Sequence, residues 1–239
     1  NAGDNYLLAQ SLHEEIRART DEPVKYVILE NGQGHAMLGS IYWQAQGAKV
    51  IAHVDAAAEI EAHGHDIIDR MRRRNRDKAM GTELTKPDIT FEQHYVIELG
   101  DARIELLNLG PAHSPGDIVV WLPRRKVAIS GDMAFHQRLL PVFETTDTAA
   151  WIESWENFVK LGAQTVIPGH GAPTNMAPLT RYTVGYLRYM RAQIGQIIDA
   201  GGTLQEAYGV DQSPYAHLDT FDELARLNAG RIFRAMEFE

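Results

Sequence analysis

The sequence predicts a mixed α/β (α+β) fold in which sheets and helices lie in layers. Three observations predict it. Helix-like and strand-like segments alternate through about residue 80. A succession of short strand-like runs separated by turns follows, from 89 to 130. A helix, one further strand and a long helical stretch close the chain. At roughly 150 residues per domain, the 239 residues fall between one and two domains. The expectation is one domain over 1–239, with a helical part from about 175 to 239 packed on it.

Each element has its own warrant. Leu8, Leu12 and Ile16 recur at helical spacing, so 6–20 reads as a helix, with Asp4 or Asn5 as its N-cap and Pro23 beyond its end. Residues 24–29 are a continuous apolar run suited to a buried strand. A loop with Gly32, Gly34 and Gly39 follows. Helical pattern covers 36–46, a strand 49–53 and helical pattern again 56–80. Runs at 89–91, 95–99, 103–109, 118–122 and 126–130 read as strands. Gly100-Asp101 and Pro123-Arg124-Arg125 are turns between them, which predicts antiparallel hairpins. A helix is expected over 149–161. A strand over 164–167 leads into Pro168-Gly169-His170-Gly171. Helices are expected over 177–200, 204–208 and 217–237.

Composition narrows the function. The net charge is −9, from 23 Lys+Arg against 32 Asp+Glu, so the chain lacks the basic footprint of a nucleic-acid binder. The one basic run, 70–78, reads as a solvated helix face. No apolar run reaches membrane-spanning length. The absence of cysteine excludes disulfides, thiolate nucleophiles and thiolate-bound metals. It leaves the compartment open, because a chain without thiols suits either redox environment.

Of the ten histidines, most read as solvated or structural. His63 and His65 are two apart on a helix and face different sides, so they do not readily share a metal. Three positions differ. His113 lies in Gly110-Pro111-Ala112-His113-Ser114-Pro115-Gly116-Asp117, Asp132 in Ser130-Gly131-Asp132, and His170 in Ile167-Pro168-Gly169-His170-Gly171. Each is expected just after a strand, in a glycine-containing loop that permits tight turns. Imidazole and carboxylate together suit zinc, manganese or iron.

In these segments the chain resembles the metallo-β-lactamase superfamily of metallohydrolases, and within it looks most like the SoxH and quinoprotein relay zinc hydrolase subgroup. The resemblance runs from the first residues to about Thr174. It implies an αββα sandwich with metals bound by loops at one edge of the sheets. It also implies that His113 binds a first metal, Asp132 bridges two and His170 binds the second, with Asp132 and His113 at the catalytic centre. The chemistry it implies is attack on an ester, thioester, lactone, amide or phosphodiester of a small-molecule substrate by a metal-activated water. A periplasmic or secreted location is expected from the same subgroup, with a cytoplasmic one left open.

One stretch departs from the family pattern. The first ligand loop of the family reads His-x-His-x-Asp-His. Here Asn31 and Gln33 stand at its two leading histidines, His35 at its Asp and Ala36 at its last His. Strands that normally precede this point are missing from the sequence. Amides are poor zinc ligands, so the first metal position is expected to be weak or empty. His35, Asp132 and His170 would still give three ligands and an open position, with His113 nearby. One zinc ion therefore fits better than two, and none is the other outcome. Two functions follow: a single-metal hydrolase, or a catalytically inactive, metal-poor member of the family that acts as a binding protein. An exposed sheet edge left by the missing strands predicts a homodimer or a retained upstream segment. Trp43, Trp121, Trp151, Trp155, Phe135 and Phe143 are the aromatic candidates for a pocket, and His136 lies close enough in sequence to approach the site.

Overall fold

The first helix starts where its cap allows. Asn5 Oδ1 accepts a hydrogen bond from Leu8 N at 2.9 Å, one of the amides that a helix start leaves without a partner. Asp4, the other candidate, pairs with Arg74 at 2.8 Å. The computed structural model describes residues 1–239, and they form two compact units, Asn1–His94 and Tyr95–Glu239.

In the first unit the order is α1 (Tyr6–Arg17), β1 (Tyr26–Ile28), α2 (Gly34–Met37), α3 (Ser40–Ala45), β2 (Lys49–His53), α4 (Val54–Asn75) and β3 (Ile89–Phe91). The three strands form a parallel sheet in the order β1-β2-β3. The residues expected as the first strand of the hairpin series, 89–91, pair instead with β2. Parallel pairing needs a crossover, and α4 supplies it. Its buried face is Ala56, Ile60, Gly64, Ile68 and Met71, the spacing of one helical stripe. The basic run falls at the end of this helix, where Arg72, Arg73 and Arg74 meet the negative end of the helix dipole. The helix expected over 36–46 divides into α2 and α3. Gly39 lies at the division, and a side chain there would strike the Ala2 carbonyl.

In the second unit β4 (His94–Leu99), β5 (Ala102–Leu107), β6 (Val119–Leu122), β7 (Val127–Phe135) and β8 (Thr165–His170) form one sheet in chain order. The pairs β5-β6 and β6-β7 are antiparallel, the second about the expected turn at 123–125. The pair β7-β8 is parallel and is bridged by α5 (Thr148–Lys160). Then come α6 (Met176–Tyr182), α7 (Val184–Asp199), α8 (Leu204–Ala207) and α9 (Phe221–Met236). The single helix expected over 177–200 breaks at Thr183, and the last helix begins four residues later than expected, at Phe221 rather than 217. Trp151, Trp155 and Phe158 of α5 pack with Phe135 and with Tyr186, Leu187 and Met190 of α7 in the core of this unit. No helix is long and apolar enough to cross a membrane.

Candidate metal centre

Two of the three expected loops are strand. β7 runs on to Phe135, so Asp132 lies inside it, and His170 is the last residue of β8. The local cause is an irregular register. Gly131 pairs with Pro168 and Phe135 with His170, so four steps on β7 oppose two on β8, a bulge. The extra residues of a bulge lose their ladder partners, and the strand end beyond it needs side-chain partners as well. Here Trp151 Nε1 donates to the Met133 carbonyl at 3.1 Å. Thr183 Oγ1 accepts from Phe135 N at 2.9 Å and donates to Phe135 O at 3.2 Å. The break between α6 and α7 thus places a hydroxyl where the site's strand needs one.

His113 sits in a loop, as expected. Ser114 N donates to Asp117 Oδ2 at 2.5 Å, and Thr146 Oγ1 donates to the His113 carbonyl at 2.9 Å. Its ring is walled by Phe143, Phe135 and Trp151, with centroids at 4.7, 5.9 and 6.0 Å. Of the six aromatic candidates, Phe143 alone is exposed, and it lies edge-on against this imidazole. Trp43, Trp121, Trp151, Trp155 and Phe135 are buried core.

The bulge and the loop bring His113, Asp132 and His170 together. His113 Nδ1 is 3.6 Å from Asp132 Oδ2, and His170 Nε2 is 3.5 Å from Asp132 Oδ1. His113 and Asp132 are 1% and 2% exposed, so this carboxylate is held in a site where a charge needs a compensating partner. Neighbouring ligands around an ion at roughly 2.0–2.2 Å stand about this far apart. Donor type, burial and spacing therefore fit a metal ion. The two imidazoles face different oxygens, which puts Asp132 between two ligand positions. His136 does not turn toward this carboxylate. Its Nδ1 contacts the Ala172 carbonyl at 2.8 Å and its N–H donates to the His170 carbonyl at 3.0 Å.

The altered first loop belongs to the first unit. Asn31 is fully buried and its Oδ1 accepts from Gln33 N at 3.1 Å, a side-chain turn of the kind Asn favours. Gln33 is half-buried, at the start of α2, and Ala36 is buried within it. His35 Nε2 lies 3.1 Å from Glu30 Oε1. Glu30 also accepts from the Asn1 amide, and its Oε2 is buried with no hydrogen-bond partner. Burial works against the charged carboxylate, but the contacts from His35 and Asn1 outweigh it and hold the Glu30 pKa below the usual value.

Two side chains at these sites were not singled out from sequence. Glu30 had a readable signal, an ionisable residue directly after a buried strand. Arg138 had none. Its Nη1 lies 3.0 Å from His170 Nδ1 and 3.2 Å from Nε2, a contact that depends on the β7-β8 register.

Comparison with known proteins agrees with this frame. The family model described as the metallo-beta-lactamase superfamily matches residues 37–170, more than half of the chain. The match begins just past the altered loop and ends on His170. Among solved structures, a metallo-beta-lactamase from Pontibacter korlensis is similar, with a TM-score of 0.64 and 20% identity over 78% of this chain and 79% of that one. The crystal structure of the DIM-1 metallo-beta-lactamase exposed to ceftazidime is similar too. Its TM-score is 0.61, with 19% identity over 78% of this chain and 77% of that one. Both likenesses concern the fold.

Proposed function

This chain belongs to the metallo-beta-lactamase superfamily, and on that premise we propose that it is a zinc-dependent hydrolase acting on an ester, thioester, lactone or amide of a small molecule. The observation that carries the reading is the buried Asp132 carboxylate with an imidazole on each side, at 3.6 and 3.5 Å. Asp132 would anchor the ion on its Oδ2 side, with His113 as the neighbouring ligand, and His170 would stand at the second position, beside Oδ1. A bound zinc ion supplies a water of lowered pKa and polarises the carbonyl under attack. The chain's own residues do the rest. The aromatic wall of Phe143, Phe135 and Trp151 fixes the His113 ring. The β7 bulge fixes Asp132. Stacking on Phe135, at 5.3 Å between centroids, fixes His170. Phe143, exposed beside His113, offers an apolar surface to an acyl group.

The second reading, a metal-poor binding protein, is favoured by one observation. The Asn31 amide is engaged in holding its own loop, and an amide is a weak zinc ligand in any case.

The test is zinc content by elemental mass spectrometry, after zinc exposure and desalting, in the wild type and in Asp132→Ala and His113→Ala. Retained zinc that both substitutions reduce supports the hydrolase, and a panel of ester, thioester, lactone and β-lactam substrates then tests turnover. A wild-type chain that retains no zinc removes the hydrolase reading and leaves the binding protein.

A further inference from the structure

His170 lies between opposite charges. On one side is Asp132 Oδ1, 3.5 Å from Nε2. On the other is Arg138, whose Nη1 is 3.0 Å from Nδ1 and 3.2 Å from Nε2. The two nitrogens of an imidazole flank a single carbon, so an atom this near both cannot lie in the ring plane without striking that carbon. The guanidinium therefore stacks over the face of the ring, as cations do on aromatic groups. Nε2 remains 3.5 Å from Asp132 Oδ1, with a permanent positive charge a few ångströms away.

The backbone holds Arg138 in this place at a conformational cost. Gln137, just before it, has φ 63°, and Thr220, whose Oγ1 accepts from Arg138 Nε at 3.4 Å, has φ 61°. Neither is glycine, and for a β-branched residue such as threonine this is an outlier. The two segments are clamped by Asp219 N to Gln137 O and Leu139 N to Asp219 O, each at 2.9 Å. Strain of this kind persists where the surroundings over-determine a position, and it gathers at functional sites. Among the described residues no carboxylate forms an ion pair with Arg138, so its charge is directed at the His170 ring.

We propose that Arg138 supplies, on the His170 side of Asp132, the positive charge that a second metal ion would otherwise bring, and so keeps a dication out of that position. The physical reason is simple repulsion. A guanidinium this close to a ligand atom opposes a divalent ion there, and solvent reaching the part-exposed His170 screens that repulsion only in part. The proposal rests on the metal-binding reading above and concerns how many ions the chain holds.

The experiment compares zinc stoichiometry and affinity in the wild type, Arg138→Gln and Arg138→Lys, by elemental mass spectrometry and calorimetric titration of metal-free protein. Arg138→Gln is expected to bind one more ion than the wild type, or to bind its weakest ion at least tenfold more tightly. Arg138→Lys, which keeps the charge, is expected to resemble the wild type. His170→Ala added to Arg138→Gln is expected to remove the extra ion. Arg138→Met carries the same comparison if the Gln variant does not fold. Equal stoichiometry and affinity in the wild type and the neutral variants overturn the proposal alone. Two tightly bound ions in the wild type do so as well. No zinc on any variant overturns it together with the hydrolase reading. Zinc on the neutral variants but not on the wild type supports the proposal and removes the hydrolase reading.

Discussion

Gly169 lies directly against Asp132: a Cβ added to Gly169 would stand 2.5 Å from Asp132 Oδ1 and 2.7 Å from the Gly131 carbonyl carbon. The glycine of β8 is therefore a condition for the carboxylate of β7. Gly169→Ala is expected to push Asp132 out of line with its imidazoles. It should destabilise the fold by about 1–3 kcal/mol, as overpacking does, and weaken zinc binding at least tenfold. Denaturant melts and metal titration check the two effects separately, and a variant with unchanged zinc affinity would show that β8 gives way to the methyl without moving Asp132.

Thr183 is the hydroxyl that completes Phe135. Thr183→Val keeps the shape but strands the Phe135 amide, at 2.9 Å, and its carbonyl, at 3.2 Å. The expected loss is about 1–3 kcal/mol for the buried groups left unpaired. Thr183→Ser keeps the hydroxyl and is expected to recover most of that loss in the same denaturation experiment.

Much of the fold was legible because period and punctuation were clean. Leu8, Leu12 and Ile16 marked α1, and the turns at Gly100 and Pro123 marked the antiparallel strands. What was not legible depends on contacts distant in sequence. No local signal says that 89–91 joins β2, since a three-residue apolar run pairs equally well with either sheet. Nor does any local signal extend β7 through Asp132. Glycine at 131 reads as a strand end, and only the facing residues of β8 and the Trp151 and Thr183 donors reveal a bulge. The candidate ligands His113, Asp132 and His170 were legible as residue types after apolar runs. Arg138 was not, because its approach to His170 is set by register and by the turn at Thr220.

Asn228 joins α9 to the segment after β7. Its Oδ1 accepts from Val142 N at 2.8 Å, and its Nδ2 donates to Leu140 O at 2.8 Å and to Tyr186 Oη at 3.1 Å. Asn228→Ala leaves the Val142 amide and the Leu140 carbonyl buried and unpaired, while Tyr186 Oη keeps its bond to Gln212, and about 2–4 kcal/mol of stability should go with them. Asn228→Asp, which keeps one acceptor but loses the donors, is expected to be nearly as costly. Thermal unfolding followed by circular dichroism reads both.

Asp88 gives the first unit a pH dependence of definite sign. Desolvation raises its pKa, but the hydrogen bonds from Val50 N, Gln44 and Lys49 outweigh that and leave it below the usual Asp value. A carboxylate whose pKa is lower folded than unfolded stabilises the fold above its unfolded value of about 3.9 and loses that contribution as pH falls through the folded value. Asp88→Asn is therefore expected to cost up to about 1 kcal/mol at pH 7. The difference in denaturation midpoint between variant and wild type should close as the pH falls below about 4. A constant difference across that range would assign the effect to shape rather than charge.

The hydrogen bonds that Thr183 and Asn228 send back to 135–142 span 48 and 86 residues of chain. A ribosome makes the strand bearing Asp132 well before it makes either partner. During that interval the nascent chain carries a buried-type strand, its bulge unsatisfied and its aromatic neighbours without a cover. The helices at the far end act as a late-arriving latch, and until they dock the apolar surface of that strand stays open to the wrong company.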